Sequence, residues 1–355
     1  MQRIQALQHL RAIAALAVVA YHVLEATRVR FPVGAAGVDV FFVISGFIIG
    51  LLIAAPRVNL PQFYWRRAVR VLPPYWLATF ALIAVTLVTA GNWAETHFSL
   101  DHVWRSLALI PGNAEGGFPQ PMLEQGWTLY YEMFFYLLAG VALLAPARWR
   151  SVALLALVAA PILAGILISL PAPAWRVYTR PLMVEFAFGV MLASVWRSGF
   201  SAPAWVGWVL LAASVAGFGL EQTFDWRASE ARWLVWGAPA ALGVSGALVL
   251  ERAGKTPKAP WLSKLGDASY SLYLTHTIAF AGVTIVLGQL GVRVNDIPPL
   301  LFTPLKVAAA IGVGLMAYEW FERPMLKALR DPPRLSWAKR SIPPKASKGA
   351  KVSKG

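Results

Sequence analysis

The stretch LRAIAALAVVAYHVLEA (residues 10–26) places an arginine and a histidine inside an apolar run of bilayer length. Arg11 and His22 are separated by ten residues, most of them small or aliphatic. If the run is a helix, eleven steps of about 100° return both side chains to nearly one face, about 16 Å apart along the axis. A charged group in such a helix is costly unless it faces a protein interior or a water-filled cavity. The two residues therefore predict a functional stripe.

The composition is typical of a membrane protein. Hydrophobic residues make up 58% and charged residues 14% of the 355 residues, and the mean hydropathy is +0.57. Apolar runs of bilayer length recur along the chain, which predicts an all-α, polytopic membrane helical bundle. About ten transmembrane helices are expected, at roughly 8–27, 37–55, 73–90, 127–145, 151–170, 178–196, 203–220, 232–250, 268–288 and 301–319.

The placement of charge predicts the orientation of this bundle. With a cytoplasmic N-terminus, most of the 32 lysines and arginines fall in cytoplasmic loops and in the tail. The positive-inside rule then predicts that the C-terminus is cytoplasmic as well. Residues 325–355 form a basic, Pro/Ser/Gly-rich tail that we expect to be disordered. The net charge of +15 therefore favours contact with anionic lipid and not with nucleic acid.

Two ionisable side chains near the outer ends of their spans are candidates for acid–base chemistry. His22 can take and return a proton near neutral pH, which an acyl transfer to a hydroxyl requires. Glu132, in GWTLYYEMFFY (126–136), could orient His22 or stabilise its protonated form. An ion pair with an arginine such as Arg180 is an equal alternative for this carboxylate. Further polar residues within the predicted spans are Asp39, Ser45, Glu185, His276 and Glu319.

The stretch FYWRRAVRVLPPYW (63–76) carries three arginines at helical spacing: Arg66, Arg67 and Arg70. Guanidinium groups match phosphate oxygens well. Such clusters also simply fix topology, and the residues alone favour that interpretation. Pro73 and Pro74 are expected to open the third span, because proline is tolerated in the first turn of a helix.

Metal chemistry is not predicted. The chain has no cysteine, which excludes a disulfide framework, a thiolate nucleophile and a Cys-ligated metal. The five histidines are scattered and include no pair at i, i+4.

Seven motifs occur in an order that resembles the acyltransferase-3 family of bacterial membrane O-acyltransferases, in particular its exopolysaccharide O-acetyltransferase branch. The resemblance covers residues 1–324, which we expect to form one membrane domain. The motifs are Arg11 with His22, GVDVFFVISGF (37–47), RRAVRVLPPYW (66–76), EGGFPQP (115–121), GWTLYYEMFFY (126–136), ASYSLYLTH (268–276) and YEWFERP (318–324).

The resemblance implies transfer of an acyl group, usually acetyl from cytoplasmic acetyl-CoA, to a sugar hydroxyl at the outer face of the bacterial inner membrane. It implies that His22 is catalytic, and we expect Glu132 to support it. For the arginine cluster the resemblance shifts the interpretation from topology to CoA phosphate binding by Arg67, Arg70 and the adjacent Arg66. Arg11 either contacts the CoA arm or only holds its helix in register.

For the acceptor, the resemblance implies an exopolysaccharide or a lipid-linked glycan, with polysaccharide-assembly proteins as further partners. The outer-loop motif is then expected to bind this substrate through Gly116, Gly117 and Phe118, together with Trp127.

Two other classes of function share part of this pattern. A transporter or flippase for lipid-linked sugars would also be polytopic and carry scattered intramembrane charge. A sensor or scaffold of an envelope assembly would suit the aromatic outer loop, but it leaves Arg11 and His22 unexplained. Labelling of a glycan from acetyl-CoA discriminates between an acyltransferase and a flippase.

Overall fold

The computed structural model describes residues 3–25, 29–90, 99–112, 119–224, 231–293 and 296–329. Every regular element within these ranges is a helix. The α-helices are α1 (Gln5–Glu25), α2 (Gly37–Ile53), α3 (Leu60–Ala90), α4 (Leu100–Ala108), α5 (Trp127–Ala142), α6 (Arg150–Leu167), α7 (Pro173–Tyr178), α8 (Val184–Arg197), α9 (Ala204–Phe224), α10 (Ala238–Arg252), α11 (Pro260–Asp267), α12 (Ser269–Gln289), α13 (Pro299–Ala317) and α14 (Arg323–Ala328). Short 3₁₀ and π segments adjoin them at Pro32–Ala36, Glu124–Gly126, Pro181–Met183, Trp233–Gly237 and Tyr318–Glu322.

The all-helical class is confirmed, and each of the ten predicted spans falls on one of these helices. Two of the ten helices on which these spans fall, α5 and α8, have only 16 and 14 residues, so the count of ten membrane spans stays a prediction. The orientation of the termini stays a prediction as well. Seven helical segments of the described chain are long and apolar enough to cross a membrane: Gln5–Glu25, Pro32–Ile53, Leu60–Thr89, Arg150–Leu167, Trp233–Arg252, Ser269–Gln289 and Pro299–Ala328.

The prediction that Pro73 and Pro74 open the third helix is wrong. Helix α3 begins at Leu60, where the side chain of Asn59 accepts a hydrogen bond from the backbone amide of Gln62 at 2.9 Å. Pro73 and Pro74 lie inside this helix, where membrane proteins tolerate proline because neighbouring groups satisfy the freed carbonyls. Arg67 and Arg70 consequently lie on the same continuous helix as the apolar residues of the predicted third span.

Helices α2 and α8 pack backbone to backbone through glycines. A Cβ atom at Gly46 would lie 2.1 Å from the carbonyl oxygen of Phe186, and one at Gly189 would lie 2.1 Å from that of Val43. Small residues permit this close approach of membrane helices. The contact fixes the position of α2, whose Ser45 faces the interior of the bundle.

The first turn of α1 is anchored between α10 and α11. The carboxylate of Glu251 accepts the first two backbone amides of α1 at 2.9 and 3.0 Å, which satisfies donors that a helix start leaves unpaired. A Cβ atom at Gly266 of α11 would lie 2.0 Å from the carbonyl oxygen of Gln8. Both contacts hold α1 in register, and with it Arg11.

One end of the bundle, which we call the basic end, collects the start of α1 and the ends of α2, α8 and α10. Arg150 donates to the carbonyls of Ile53 and Ala55 at 3.1 and 2.8 Å, which ties α6 to the end of α2. Arg252 donates to the carbonyls of Trp196 and Phe200, which ties α10 to the end of α8. The opposite end, which we call the His22 end, receives the end of α1 and the start of α2.

Candidate active site

A central cavity of about 310 Å³ lies between α1, α2, α3, α5 and α12. Its lining includes four predicted site residues that are far apart in the sequence: Arg11, Arg67, Arg70 and Glu132. The side chains that α2 contributes to the lining are mainly aromatic and aliphatic. The cavity therefore combines a cationic side with an apolar one, an arrangement that suits a ligand with both polar and alkyl parts.

Glu132 is held inside this cavity by neutral donors. The hydroxyl of Tyr136 donates a short hydrogen bond to Glu132 Oε1, and the hydroxyl of Ser45 donates to the same oxygen at 3.4 Å. The Arg67 guanidinium lies 5.7 Å from the centre of the Tyr136 ring. The hydrogen bonds described for Glu132 thus join α2 and α5, the cation–π contact adds Arg67 of α3 through Tyr136, and none of these contacts involves His22.

Glu322 is a buried carboxylate that the sequence reasoning missed. Its side chain is 1% exposed and accepts a hydrogen bond from the hydroxyl of Ser271 at 2.5 Å. Arg70 and Arg11 are among the charges that act on it. It therefore offsets part of the positive charge that these arginines bring to the cavity.

The carboxylate expected to lie within this last span was Glu319. The structure places Glu319 at the surface, where it pairs with Arg323 at 2.6 Å and with Lys264 at 3.6 Å. A π-helical segment, Tyr318–Glu322, changes the facing of the side chains at this point. The motif YEWFERP contains both carboxylates, but the predicted last span ends at residue 319 and so leaves Glu322 out.

His22 lies at the other end of the stripe that begins at Arg11, and two hydrogen-bond acceptors hold its ring. Its Nδ1 is 2.9 Å from the carbonyl oxygen of Val18 and 3.3 Å from Nε2 of His276. Because a carbonyl only accepts, these partners assign the proton of the neutral ring to Nδ1 and leave a lone pair on Nε2. A histidine whose Nε2 is free to accept a proton has the tautomer that general-base catalysis needs.

His276 is the second histidine of this pair, and its position in the sequence indicates only a polar residue within a span. Its ring is fully buried, and its Nδ1 lies 2.8 Å from the carbonyl oxygen of Tyr273. The same reasoning puts its proton on Nδ1, so its Nε2 accepts from Nδ1 of His22. The two rings are 4.9 Å apart between centroids.

His22 does not line the central cavity directly. Tyr273 lines the cavity, and its ring centre lies 6.2 Å from that of His276, which in turn contacts His22. The described contacts therefore link the cavity lining to His22 through Tyr273 and His276 of α12.

The remaining predicted site residues have separate positions. Arg66 is exposed and borders neither of the two cavities described here. Trp127 lies at the His22 end, where the Arg232 guanidinium is 5.5 Å from its ring centre. Gly116, Gly117 and Phe118 lie outside the described residues.

A buried acidic pair lies beside Trp127. Arg232 donates to both carboxylate oxygens of Asp39, from Nη2 at 2.8 Å and from Nε at 3.1 Å. Asp39 and Glu185 are both 0% exposed, and each acts on the other's charge. The bidentate pair fixes the start of α2 against the segment before α10, so we assign these residues to the architecture of the His22 end.

A second cavity, of about 920 Å³, opens at the basic end. It shares Gln8, Arg11 and Ile48 with the lining of the central cavity. Arg11 therefore stands where the two cavities meet, and together they extend from the basic end into the middle of the bundle. In the described part of the chain, no group of three or more His, Cys, Asp or Glu side chains could hold a metal ion.

Comparison with known proteins agrees with this architecture. A family model described as an acyltransferase domain, that of the acyltransferase-3 family, matches residues 4–319. The chain is 37% identical over 313 residues to the exopolysaccharide production protein ExoZ of Rhizobium meliloti, covering 86% of this chain and 94% of ExoZ. It is 26% identical over 370 residues to the acyltransferase MdmB of Streptomyces mycarofaciens, covering 92% of each.

A shorter match joins the chain to the peptidoglycan O-acetyltransferase OatA of Listeria monocytogenes, with 29% identity over 157 residues, 39% of this chain and 24% of OatA. No solved structure matches. Because the family model spans nearly the whole bundle, the chain belongs to the acyltransferase-3 family and is a multi-pass membrane acyltransferase.

Proposed function

We propose that this protein is an O-acetyltransferase of the bacterial inner membrane. It transfers acetyl from cytoplasmic acetyl-CoA to a hydroxyl of an exopolysaccharide or a lipid-linked glycan at the outer face. The observation that carries the proposal is the pair of cavities that meet at Arg11, with the His22–His276 pair beyond their far end. Family membership supports the acyl transfer, and the name of the relative ExoZ supports a glycan acceptor.

In this proposal the bundle has ten spans, and both termini are cytoplasmic. The basic end then faces the cytoplasm, in agreement with the positive-inside rule. Residues 1–324 form the membrane domain, and residues 325–355 form a basic tail against anionic lipid. The His22 end faces outward, toward the acceptor.

Acetyl-CoA enters from the basic end as a substrate. Its thin pantetheine arm passes Arg11 and lies in the central cavity, where Arg67 and Arg70 can donate to its carbonyl oxygens. Glu132 and Glu322 limit the net positive charge around this neutral arm. The mixed lining fits an arm that alternates amides with methylene groups.

The transfer itself uses Nε2 of His22. This nitrogen takes the proton of the sugar hydroxyl, the oxygen bonds to the thioester carbonyl carbon, and the carbon–sulfur bond breaks. The proton then passes from His22 to the sulfur of CoA, so the histidine is regenerated. A covalent acyl-histidine step would use the same nitrogen, since Nδ1 is occupied by its hydrogen bonds.

Glu132 and Trp127 take supporting roles in this proposal. Glu132 acts through its charge within the cavity and not through a hydrogen bond to His22. Trp127, at the His22 end, offers an aromatic face to the acceptor sugar, together with Gly116, Gly117 and Phe118 of the outer loop. Polysaccharide-assembly proteins deliver the acceptor.

The test is transfer of radiolabelled acetyl from acetyl-CoA to the host's exopolysaccharide by purified protein in nanodiscs. Wild-type protein should label the glycan. His22→Ala should reduce labelling by about 100-fold or more, the scale of a lost general base. His102→Ala is the matched control, because His102 lies on α4, away from both cavities.

Labelling by His22→Ala at the wild-type rate would overturn the role of His22. A wild-type protein that moves lipid-linked sugar across the bilayer without labelling it would be a flippase. NMR of the exopolysaccharide made with and without the gene identifies the acyl group and the hydroxyl that carries it.

A further inference from the structure

The cavity at the basic end carries positive charge that its neighbours leave largely uncompensated. Besides Arg11 it is lined by Arg3, Arg197 and Arg252. The single acidic side chain in its lining is Glu251, whose carboxylate is already bonded to backbone amides of α1. A surplus of guanidinium groups around an open cavity attracts an anion with several phosphate oxygens.

Arg252 is fixed in place without being neutralised. Its guanidinium donates to the carbonyls of Trp196 and Phe200 and lies 4.3 Å from the centre of the Trp196 ring. These partners carry no formal charge, so the cation keeps its full charge in a defined position. The next residue along α8, Arg197, is exposed and has no salt bridge among the described residues.

Arg3 also lines this cavity, on the side that faces α11. It pairs with Asp267 at 2.7 Å, but both side chains are partly exposed, at 53% and 30%. An exposed pair of this kind contributes little stability. A phosphate can therefore compete for Arg3 at small cost.

The two cavities differ in size, so the larger one suits a bulky charged group and the smaller one suits a thin chain. The cavity at the basic end is about 920 Å³, the central one is about 310 Å³, and they share Gln8, Arg11 and Ile48. Arg67 and Arg70 line only the smaller one. Two of the arginines predicted from the sequence to bind phosphate, Arg67 and Arg70, thus line the smaller cavity, and a different set of arginines lines the larger one.

We propose that the cavity at the basic end binds the phosphorylated nucleotide end of acyl-CoA through Arg3, Arg197 and Arg252. This inference rests on the proposed function, since it assigns the position of the donor within it. The diphosphate and the 3′-phosphate supply the anionic oxygens that guanidinium groups bind in charge-assisted pairs. Exposed Arg66, the first arginine of the RRAVR motif, has no part in this site.

The test compares two donors that differ only in the nucleotide, using detergent-solubilised protein so that both ends are accessible. Arg197→Gln should raise the KM for acetyl-CoA about tenfold, the size of one charge-assisted hydrogen bond, with kcat unchanged. With S-acetylpantetheine, which lacks the nucleotide, the same variant should behave as wild type. Arg148→Gln, an exposed arginine that lines neither cavity, is the control and should change neither donor's KM.

An unchanged KM for acetyl-CoA in Arg197→Gln would overturn the site while leaving the transfer activity standing. An equal change with both donors would also overturn it, because that would report a general structural effect. Direct binding of adenosine 3′,5′-bisphosphate, measured by calorimetry, needs no transfer activity. Saturable binding that Arg197→Gln weakens about tenfold supports the site even if no glycan is acetylated, and absence of saturable binding to wild type overturns it.

Discussion

At the scale of single residues, the two hydrogen bonds at Nδ1 of His22 determine what the ring can do. They leave Nε2 as the proton acceptor, and one of them is donated to Nε2 of His276, 254 positions away in the sequence. His22 could be found from the sequence because it shares a helix face with Arg11. His276 could not, because only the packing of α1 against α12 brings the two rings together.

His276 is therefore a positioning residue, and its replacement should act through His22. We expect His276→Leu to lower kcat about 10- to 100-fold with KM little changed, since the ring of His22 loses one of its two acceptors. His276→Gln offers an oxygen near the position of Nε2 and should recover much of the activity. Kinetics of both variants at matched protein levels provide the measurement, and equal activity of the two would contradict a hydrogen-bonding role.

Glu322 should contribute to the stability of the folded protein. Glu322→Gln removes a buried negative charge that acts on Arg70 and Arg11, and leaving buried guanidinium groups without this compensation is destabilising. We expect a clearly lower unfolding temperature in a fluorescence-based assay. Glu319→Gln is the control, because its pairs with Arg323 and Lys264 are at the surface and should contribute little to stability. Equal shifts in the two variants would contradict the assignment.

At the scale of elements, all ten segments predicted from the sequence fall on helices, but the predicted start of α3 is wrong. The apolar periodicity that finds a helix does not find its ends, and Pro73–Pro74 were given more weight than the capping signal at Asn59. The π-helical turn before Arg323 was also invisible, because nothing in YEWFERP distinguishes it from an α-helix. Both errors concern local backbone choices that tertiary packing decides.

The α2–α8 contact is the element-scale feature most open to test. Gly46→Val should prevent stable folding, because its Cβ would lie 2.1 Å from a backbone oxygen that cannot rotate away. Gly282→Val is a matched control on α12, where a Cβ meets nothing within 4 Å. Size-exclusion profiles of fluorescently tagged protein measure the folded fraction. A monodisperse Gly46→Val peak at wild-type level would contradict the backbone contact.

At the scale of the whole molecule, the sequence supplied the members of the candidate site but not their grouping. Arg11, Arg67, Arg70 and Glu132 were assigned to different depths of the membrane, yet they line one cavity. The larger cavity at the basic end was missed entirely, because its arginines belong to different helix ends and form no motif. Helix pairing is what joins them, and a single sequence does not specify it.

The orientation of the molecule can be measured directly because the chain has no cysteine. Leu100→Cys introduces a thiol at the His22 end, on a residue that is 78% exposed, and Arg148→Cys introduces one at the basic end. A membrane-impermeant maleimide added to intact spheroplasts should label the first variant at once. It should label the second only after permeabilisation, since the basic end is expected to face the cytoplasm. The reverse pattern would place His22 beside the cytoplasm and exclude an acceptor outside, whereas the expected pattern gives donor and acceptor the opposite sides that transfer through Arg11 and His22 requires.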